Sequence, residues 1–307
     1  MTPIDFSALA RPQRAGKRWR ATVPGFLMGA PAVILFSAMM LVPLALSVYL
    51  SFTDWNGYSA NPNRVGTANY VRLFHDPDAI SAGWITAIVV VVGTIGCNVI
   101  GLGYAVLIAK PTRSSRFFRM VFFYPHVISA LIIGFLWSAI LSSGGAVNSM
   151  LEAAGRSGLP FLAEPRWALI SLLVVVLWSG FGVSLVLYIA GLQTIPPSLI
   201  EAARIDGAGT WTLFRQVTFP MLAPIVTVSV TLTLVSLIRM YDLVLSLTGG
   251  GPAGKTQTVA YLILGKSLQR DELGYGSAQS VVLVLVTAVI AICFTILRRR
   301  SDMAVQS

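Results

Sequence analysis

Charge is scarce in this chain. Of its 307 residues only 11% are Asp, Glu, Lys or Arg, and acids are the rarer kind, 12 against 22 bases. Histidine and cysteine each occur only twice. Each shortage removes a class of protein. With a hydrophobic fraction of 55% and so few ionisable groups, there is too little polar surface to keep a domain in water, so a soluble globular fold is excluded. Cys97 and Cys293 both fall inside apolar runs, which reads as two buried thiols and argues against a disulfide or a metal pair. His75 and His126, assigned to a loop and to an apolar run, do not build the constellation near one interface that a membrane enzyme requires.

What the chain does have is long apolar runs. A bilayer core of about 30 Å takes about 20 helical residues, and six stretches qualify: 25–51, 84–109, 118–141, 167–191, 220–247 and 279–297. The expected fold is all-α, a polytopic membrane protein of six transmembrane helices. Pro31 and Pro43 in the first run and Pro125 in the third are tolerated where neighbours satisfy the freed backbone groups. Basic residues mark the inner side: Arg11, Arg14, Lys17, Arg18 and Arg20 at the start, Lys110, Arg113, Arg116 and Arg119 in one turn, Arg298, Arg299 and Arg300 at the end. The alternate loops carry acids against few bases: Asp54, Asp76 and Asp78, then Glu152 and Glu164. Six crossings with both termini cytoplasmic satisfy every loop and put 248–278 on the outer face. The expected layout is a basic cytoplasmic segment 1–24, a six-helix transmembrane core 25–297 and a cytoplasmic tail 298–307.

The net charge of +10 follows from this topology and from contact with anionic headgroups, and no nucleic-acid module accompanies it. The first apolar run is too long for a cleaved signal and reads as an anchor.

The loop between the fourth and fifth runs, EAARIDGAGTWTLFRQVTFPMLAP at 201–224, is polar without being charge-rich. Pro196 and Pro197 can open a short helix over 198–205, because proline suits a first turn. Gly207 allows a turn, and a second helix over 210–217 sets Trp211, Phe214 and Val217 on one face. Such an element suits docking into a partner's groove, and equally suits an amphipathic connector resting on headgroups.

The residues resemble a known family. Glu201, Ala202 and Ala203, then Gly207 and Ala208, Phe214, Pro220 and Pro224 are similar to the EAA loop of permease subunits of binding-protein-dependent ABC importers, and Asp206 to its carbohydrate-uptake branch. Further stretches in the same order support this: SFTDWNG (51–57), NYVRLF (69–74), FFYPHVIS (122–129), AGLQTIPPSLIEAARIDGA (190–208), LTGGGP (247–252) and GYGSAQS (274–280). Glu152, Ala153 and Ala154 repeat three letters only, since Gly155 follows at once.

The resemblance implies an ATP-driven sugar permease in a prokaryotic cytoplasmic membrane, with a coupling loop at 192–219 whose docking residues are Glu201, Ala202, Ala203, Asp206, Gly207, Ala208, Trp211 and Phe214. It implies no cofactor in this chain. ATP and Mg are held by a separate ABC ATPase dimer, and the other partners are a second permease, an extracytoplasmic solute-binding protein and the bilayer. It places sugar contacts on the fifth run, where Arg239 and Asp242, three residues apart, share a helical face and can pair, beside Met240 and Tyr241. Tyr124, His126, Ser129, Trp178, Ser184, Tyr188 and Asn98 are further candidates for hydrogen bonding or stacking to solute. The solute could also be a charged one such as a glycerol phosphate. A secondary transporter would have no reason to carry the docking loop and usually needs more than one intramembrane carboxylate.

One motif points elsewhere. TGGGPAGKTQT at 248–258 spells a Walker A loop, with Gly249, Gly254, Lys255 and Thr256 correctly spaced. A P-loop needs a preceding buried strand and a following helix that meets the phosphates. Here an apolar run precedes it on the outer side, so the match from Gly249 to Thr256 is read as spurious and no nucleotide site is expected.

Overall fold

A computed structural model describes residues 18–110 and 112–306, with side chains over 29–110, 112–267 and 269–296. The cations Arg11, Arg14 and Lys17, and the side chains of Arg18, Arg20 and Arg298 to Arg300, lie outside the described set. Every regular element among the described residues is a helix, apart from one isolated bridge between Thr53 and Arg64.

Two compact units, residues 1–49 and 50–307, are taken separately. The first holds most of α1 (Arg18–Leu50), which runs unbroken through Pro31 and Pro43. The second begins with α2 (Ala68–His75) and α3 (Pro77–Leu107). The Asp76 carboxylate between them caps α3 by accepting from the Asp78 amide at 3.0 Å, with Pro77 in the first turn, so α3 starts seven residues before the expected 84. Thr112 caps α4 (Arg113–Val127) in the same way, accepting from the Ser115 amide at 3.1 Å. There follow α5 (Ala130–Leu141), α6 (Ala146–Ala153), α7 (Pro165–Gln193), α8 (Pro197–Ile205) and α9 (Thr210–Leu213). A π-helical turn (Phe214–Thr218) leads into α10 (Phe219–Met221), α11 (Ala223–Ile238), α12 (Asp242–Leu247) and α13 (Val259–Leu264). A second π-helical turn (Gly265–Gln269) precedes α14 (Leu273–Gln306).

Five stretches are long and apolar enough to cross a membrane: Gly29–Leu50, Pro77–Leu107, Ala130–Ala153, Pro165–Gln193 and Leu273–Ile296. The sixth is a bent pair, Thr210–Met221 with Ala223–Ile238, turned by 69°. Two of the expected continuous runs are therefore broken. The run 118–141 divides at Ile128 and Ser129, whose ψ values of 140° and 135° are extended. Pro125, which has no amide hydrogen, precedes that break. The run 220–247 loses helical geometry from Arg239 to Tyr241 and resumes at Asp242.

In lipid, apolar association between helices contributes little, so close packing has to hold them together. The core shows this. α3 packs along α7, and α11 packs on both. Ile85, Val89, Leu172, Val175 and Val244 centre one buried cluster, and Cys97, Phe181, Leu185 and Leu222 a second. At Gly101 the α3 backbone approaches α7 so closely that a Cβ would lie 2.7 Å from that of Ser184. Cys97 is a buried free thiol and Cys293 an exposed one, so the expectation of two buried thiols holds for Cys97 alone.

Candidate functional site

Three places gather the residues singled out from the sequence. The first is the loop before α11. α8 ends in a closed turn: the Ala208 amide donates to the Ala203 carbonyl at 2.9 Å and the Gly207 amide to that of Arg204 at 3.1 Å. This pair of bonds is the Schellman arrangement, which needs a left-handed residue just past the helix. Gly207 supplies it, with φ of +84°. The Glu-Ala-Ala and Gly-Ala spacing thus has a backbone cause, since Ala203 and Ala208 are the bonded ends of the turn around Gly207. No residue of α8 or α9 is buried. Ile205 is 86% exposed and Trp211 70%, with Trp211 stacked on Phe214 at 5.8 Å between ring centroids. Glu201, Ala202, Asp206 and Gly207 are exposed, while Ala203, Ala208 and Phe214 are half-buried. The second helix is shorter than expected. α-Helical geometry stops at Leu213, and Phe214–Thr218 form the π turn that carries the chain into the 69° bend at Leu222.

The second place lies where the two broken runs meet. A cavity of about 320 Å³ opens between Pro125 and His126 of α4, Ala130 and Ile133 of α5, Val176 and Ser179 of α7, and the irregular segment from Arg239 to Asp242. Irregular backbone inside a membrane protein is tolerated where it lines a cavity, and this one does. Arg239 and Asp242 are exposed in it, and no ion pair joins them among the described residues. The expected pairing on one helical face fails because α11 ends at Ile238 and α12 starts at Asp242, so no helix spans both residues. The Met240 carbonyl instead accepts from Thr258 Oγ1 at 2.8 Å, and Tyr241 stacks on Tyr261 at 5.9 Å. Ser129 is exposed at the start of α5, between two residues of the cavity wall. Through Pro125 this cavity adjoins an aromatic one of about 520 Å³ that holds Tyr124, Trp178, Tyr104 and Phe181. Ser184 and Tyr188 are placed differently. They are 0% and 1% exposed in the contact between α7 and α3, so they pack helices and line neither cavity. Asn98, 7% exposed, is buried with them.

The third place is the Walker-like loop. It follows α12, and among the described residues no strand precedes it. Its hydroxyls are occupied internally: Thr256 Oγ1 lies 2.7 Å from Thr248 Oγ1 and donates to the Gly251 carbonyl at 2.6 Å. Tyr261 donates to the Gly249 carbonyl at 2.8 Å. Further on, Lys266 is 5% exposed and pairs with Asp76 at 3.4 Å and Asp78 at 3.3 Å, while the Tyr275 hydroxyl donates to Asp76 at 2.8 Å. Burial raises the Asp76 carboxyl, but the Tyr275 hydrogen bond, the Asp78 amide and the Lys266 ammonium outweigh it and hold it below the usual range. Sequence reading passed over Thr258, Tyr261 and Lys266, which tie this loop to the cavity and to α3. The only signal for them is Thr256 and Thr258 alternating just before α13.

The family described as binding-protein-dependent transport system inner membrane component matches residues 98–306. The chain is 33% identical over 277 residues to the probable starch degradation products transport system permease protein AmyD of Thermoanaerobacterium thermosulfurigenes, covering 90% of this chain and 94% of that one. It is 32% identical over 277 residues to the sulfoquinovosyl glycerol transport system permease protein SmoG of Agrobacterium fabrum, covering 89% and 90%. A bacterial alginate ABC transporter, solved in complex with an alginate pentasaccharide-bound periplasmic protein, contains a chain of the same fold. It superposes with a TM-score of 0.81 at 22% identity, over 94% of this chain and 99% of the other. The chain belongs to this family and is a permease of a binding-protein-dependent ABC importer.

Proposed function

We propose that this permease carries a saccharide or glycoside across a prokaryotic cytoplasmic membrane, and that residues 201–214 couple it to a separate ATPase. The observation that carries the coupling is the helix–turn–helix 197–213, which has no buried residue and presents Ile205 and Trp211 to the outside immediately before the 69° bend. A cleft in an ATPase subunit would cover those side chains through Glu201, Ala202, Ala203, Asp206, Gly207, Ala208, Trp211 and Phe214. ATP and Mg belong to that dimer. Closure of its two halves would displace the docked element as a rigid body and switch the helices between inward- and outward-facing states. Both termini would then lie on the ATPase side, with 1–24 and 298–307 flanking the core 25–297 and loop 248–278 facing the solute-binding protein. A second permease would complete the pathway.

The solute class is supported by the saccharide-related names of the relatives and by two adjoining cavities that combine aromatic faces with hydrogen-bonding groups. Tyr124 and Trp178 line one, and His126, Arg239, Met240, Tyr241 and Asp242 the other, with Ser129 at its edge. Arg239, exposed in its cavity with no ion pair among the described residues, favours a second reading in which the solute is charged, as a glycerol phosphate is. The test is uptake into proteoliposomes holding the complete importer. Starch-derived oligosaccharides, glycosides and glycerol phosphates are offered in competition, with ATP removed while the proton gradient is held. Saccharide uptake that stops with ATP supports the first reading. Exclusive uptake of the phosphate supports the second, and uptake that persists without ATP overturns the coupling.

A further inference from the structure

Three helices meet around one carboxamide. Asn98 Oδ1, on α3, accepts a hydrogen bond from the Tyr188 hydroxyl of α7 and another from the Ser229 hydroxyl of α11, each at 2.7 Å. Asn98 Nδ2 donates to the Thr94 carbonyl at 2.8 Å. Both lone pairs of the oxygen are occupied, so losing either hydroxyl leaves a buried acceptor under-satisfied. Leu222, fully buried, sits one turn along from Tyr188 against Gly191 of α7. A Cβ at Gly191 would lie 2.8 Å from Leu222 and 2.8 Å from Ile225. Leu222 is also the residue at which the docking element turns into α11.

Beyond the two breaks, α5 and α12 meet α3 and α7 along a seam where Ile133, Leu243, Val244 and Leu247 join their buried cluster. α5 lies on α12, with Gly134 directly against Ser246. The cavity follows this seam, with Val176, Ser179 and Leu237 on one wall and Ala130 and Ile133 on the other.

We propose that Asn98, Tyr188 and Ser229 are positioning residues for transport. They lock α3, α7 and α11 into one block, and the seat of Leu222 on Gly191 joins that block to the docking element. Displacement of 197–221 then moves all three helices against α5 and α12 and changes the width of the cavity, instead of being absorbed at the bend. This rests on residues 201–214 being the docking element.

The experiment uses the complete importer in liposomes, with binding protein and saccharide, and measures solute moved per ATP hydrolysed for Tyr188→Phe and Ser229→Ala. Both variants keep side-chain shape. The expected result is an assembled complex with its ATPase rate retained and a ratio lowered roughly two- to tenfold. An unchanged ratio overturns the proposal. So does an equal fall in hydrolysis and uptake that follows loss of assembled complex, because the node would then only hold the fold together. Gly207→Trp serves as the control. If it leaves stimulation by the binding protein intact, the docking reading fails. If it abolishes stimulation while the two node variants behave as wild type, only the block proposal fails.

Discussion

Two irregular segments flank α11 and α12, one before and one after, and they are satisfied in opposite ways. The segment before α11 buries nothing within α8 or α9 and leaves Ile205 and Trp211 uncovered. The segment after α12 turns its polar groups inward. Thr256 and Thr258 are fully buried and hydrogen-bonded, and Lys266 sits between Asp76 and Asp78. A loop that satisfies its own donors, acceptors and charges is complete as it stands. One that leaves aromatic and aliphatic groups outside needs another surface to complete it. Composition does not separate the two, since both are rich in Gly, Pro and Thr.

The largest effect is expected at the open segment. Gly207 has free space around its Cα, but its φ of +84° is one that side-chain-bearing residues rarely adopt. Gly207→Trp should cost about 1–2 kcal/mol locally and misdirect α9, so ATPase stimulation by the binding protein should fall by roughly tenfold or more. Membrane insertion and helix content by circular dichroism should stay unchanged, and retained stimulation would put the docking surface elsewhere. A smaller and different effect is expected at the closed segment. Asp76→Asn leaves Lys266 with Asp78 alone and should lower stability by about 2 kcal/mol, read as a lower melting temperature of the purified permease. Because the folded carboxyl lies below its unfolded value, the stabilisation is present above the ordinary carboxylate range and fades as pH falls through the depressed one. Wild type should therefore lose stability on acidification in that window, and Asp76→Asn should lose less over the same range. An identical acid profile in the two proteins would remove Asp76 from the account. The smallest effect is at Lys255, which has no described ion pair. Lys255→Ala should change stability by less than about 0.5 kcal/mol and uptake not at all, and a nucleotide photolabel should not attach there. Labelling at Lys255 would revive the Walker reading.

Much of the fold was legible from periodicity and length. α1, α3, α7 and α14 are long apolar helices near where hydrophobic runs place them. The two breaks were not legible, for a physical reason: hydropathy sums over a window, and an apolar run scores the same whether its backbone is continuous or turns at Ile128 or Met240. Pro125 was visible but ambiguous, since Pro31 and Pro43 leave α1 unbroken. The turn at Gly207 was the most readable local feature, because its hydrogen bonds run between neighbouring residues and Gly207 and the two alanines specify it directly. The cavity residues were half readable. Tyr124, Trp178 and the segment from Arg239 to Asp242 line cavities, but Ser184 and Tyr188 do not. A polar group within an apolar run can face a cavity or another helix, and only the neighbouring helix, here α3 with Gly101 and Asn98, decides which.

The turn at Gly207 is closed by bonds among a handful of consecutive residues, from Ala202 to Ala208. Its shape owes nothing to the distant helices that wall the cavities. Those helices can therefore exchange side chains, and the cargo can change with them, without altering what an ATPase would have to grip. With attachment at 201–214 and selectivity in the cavities, the two would be written in separate parts of one chain and could vary independently of each other.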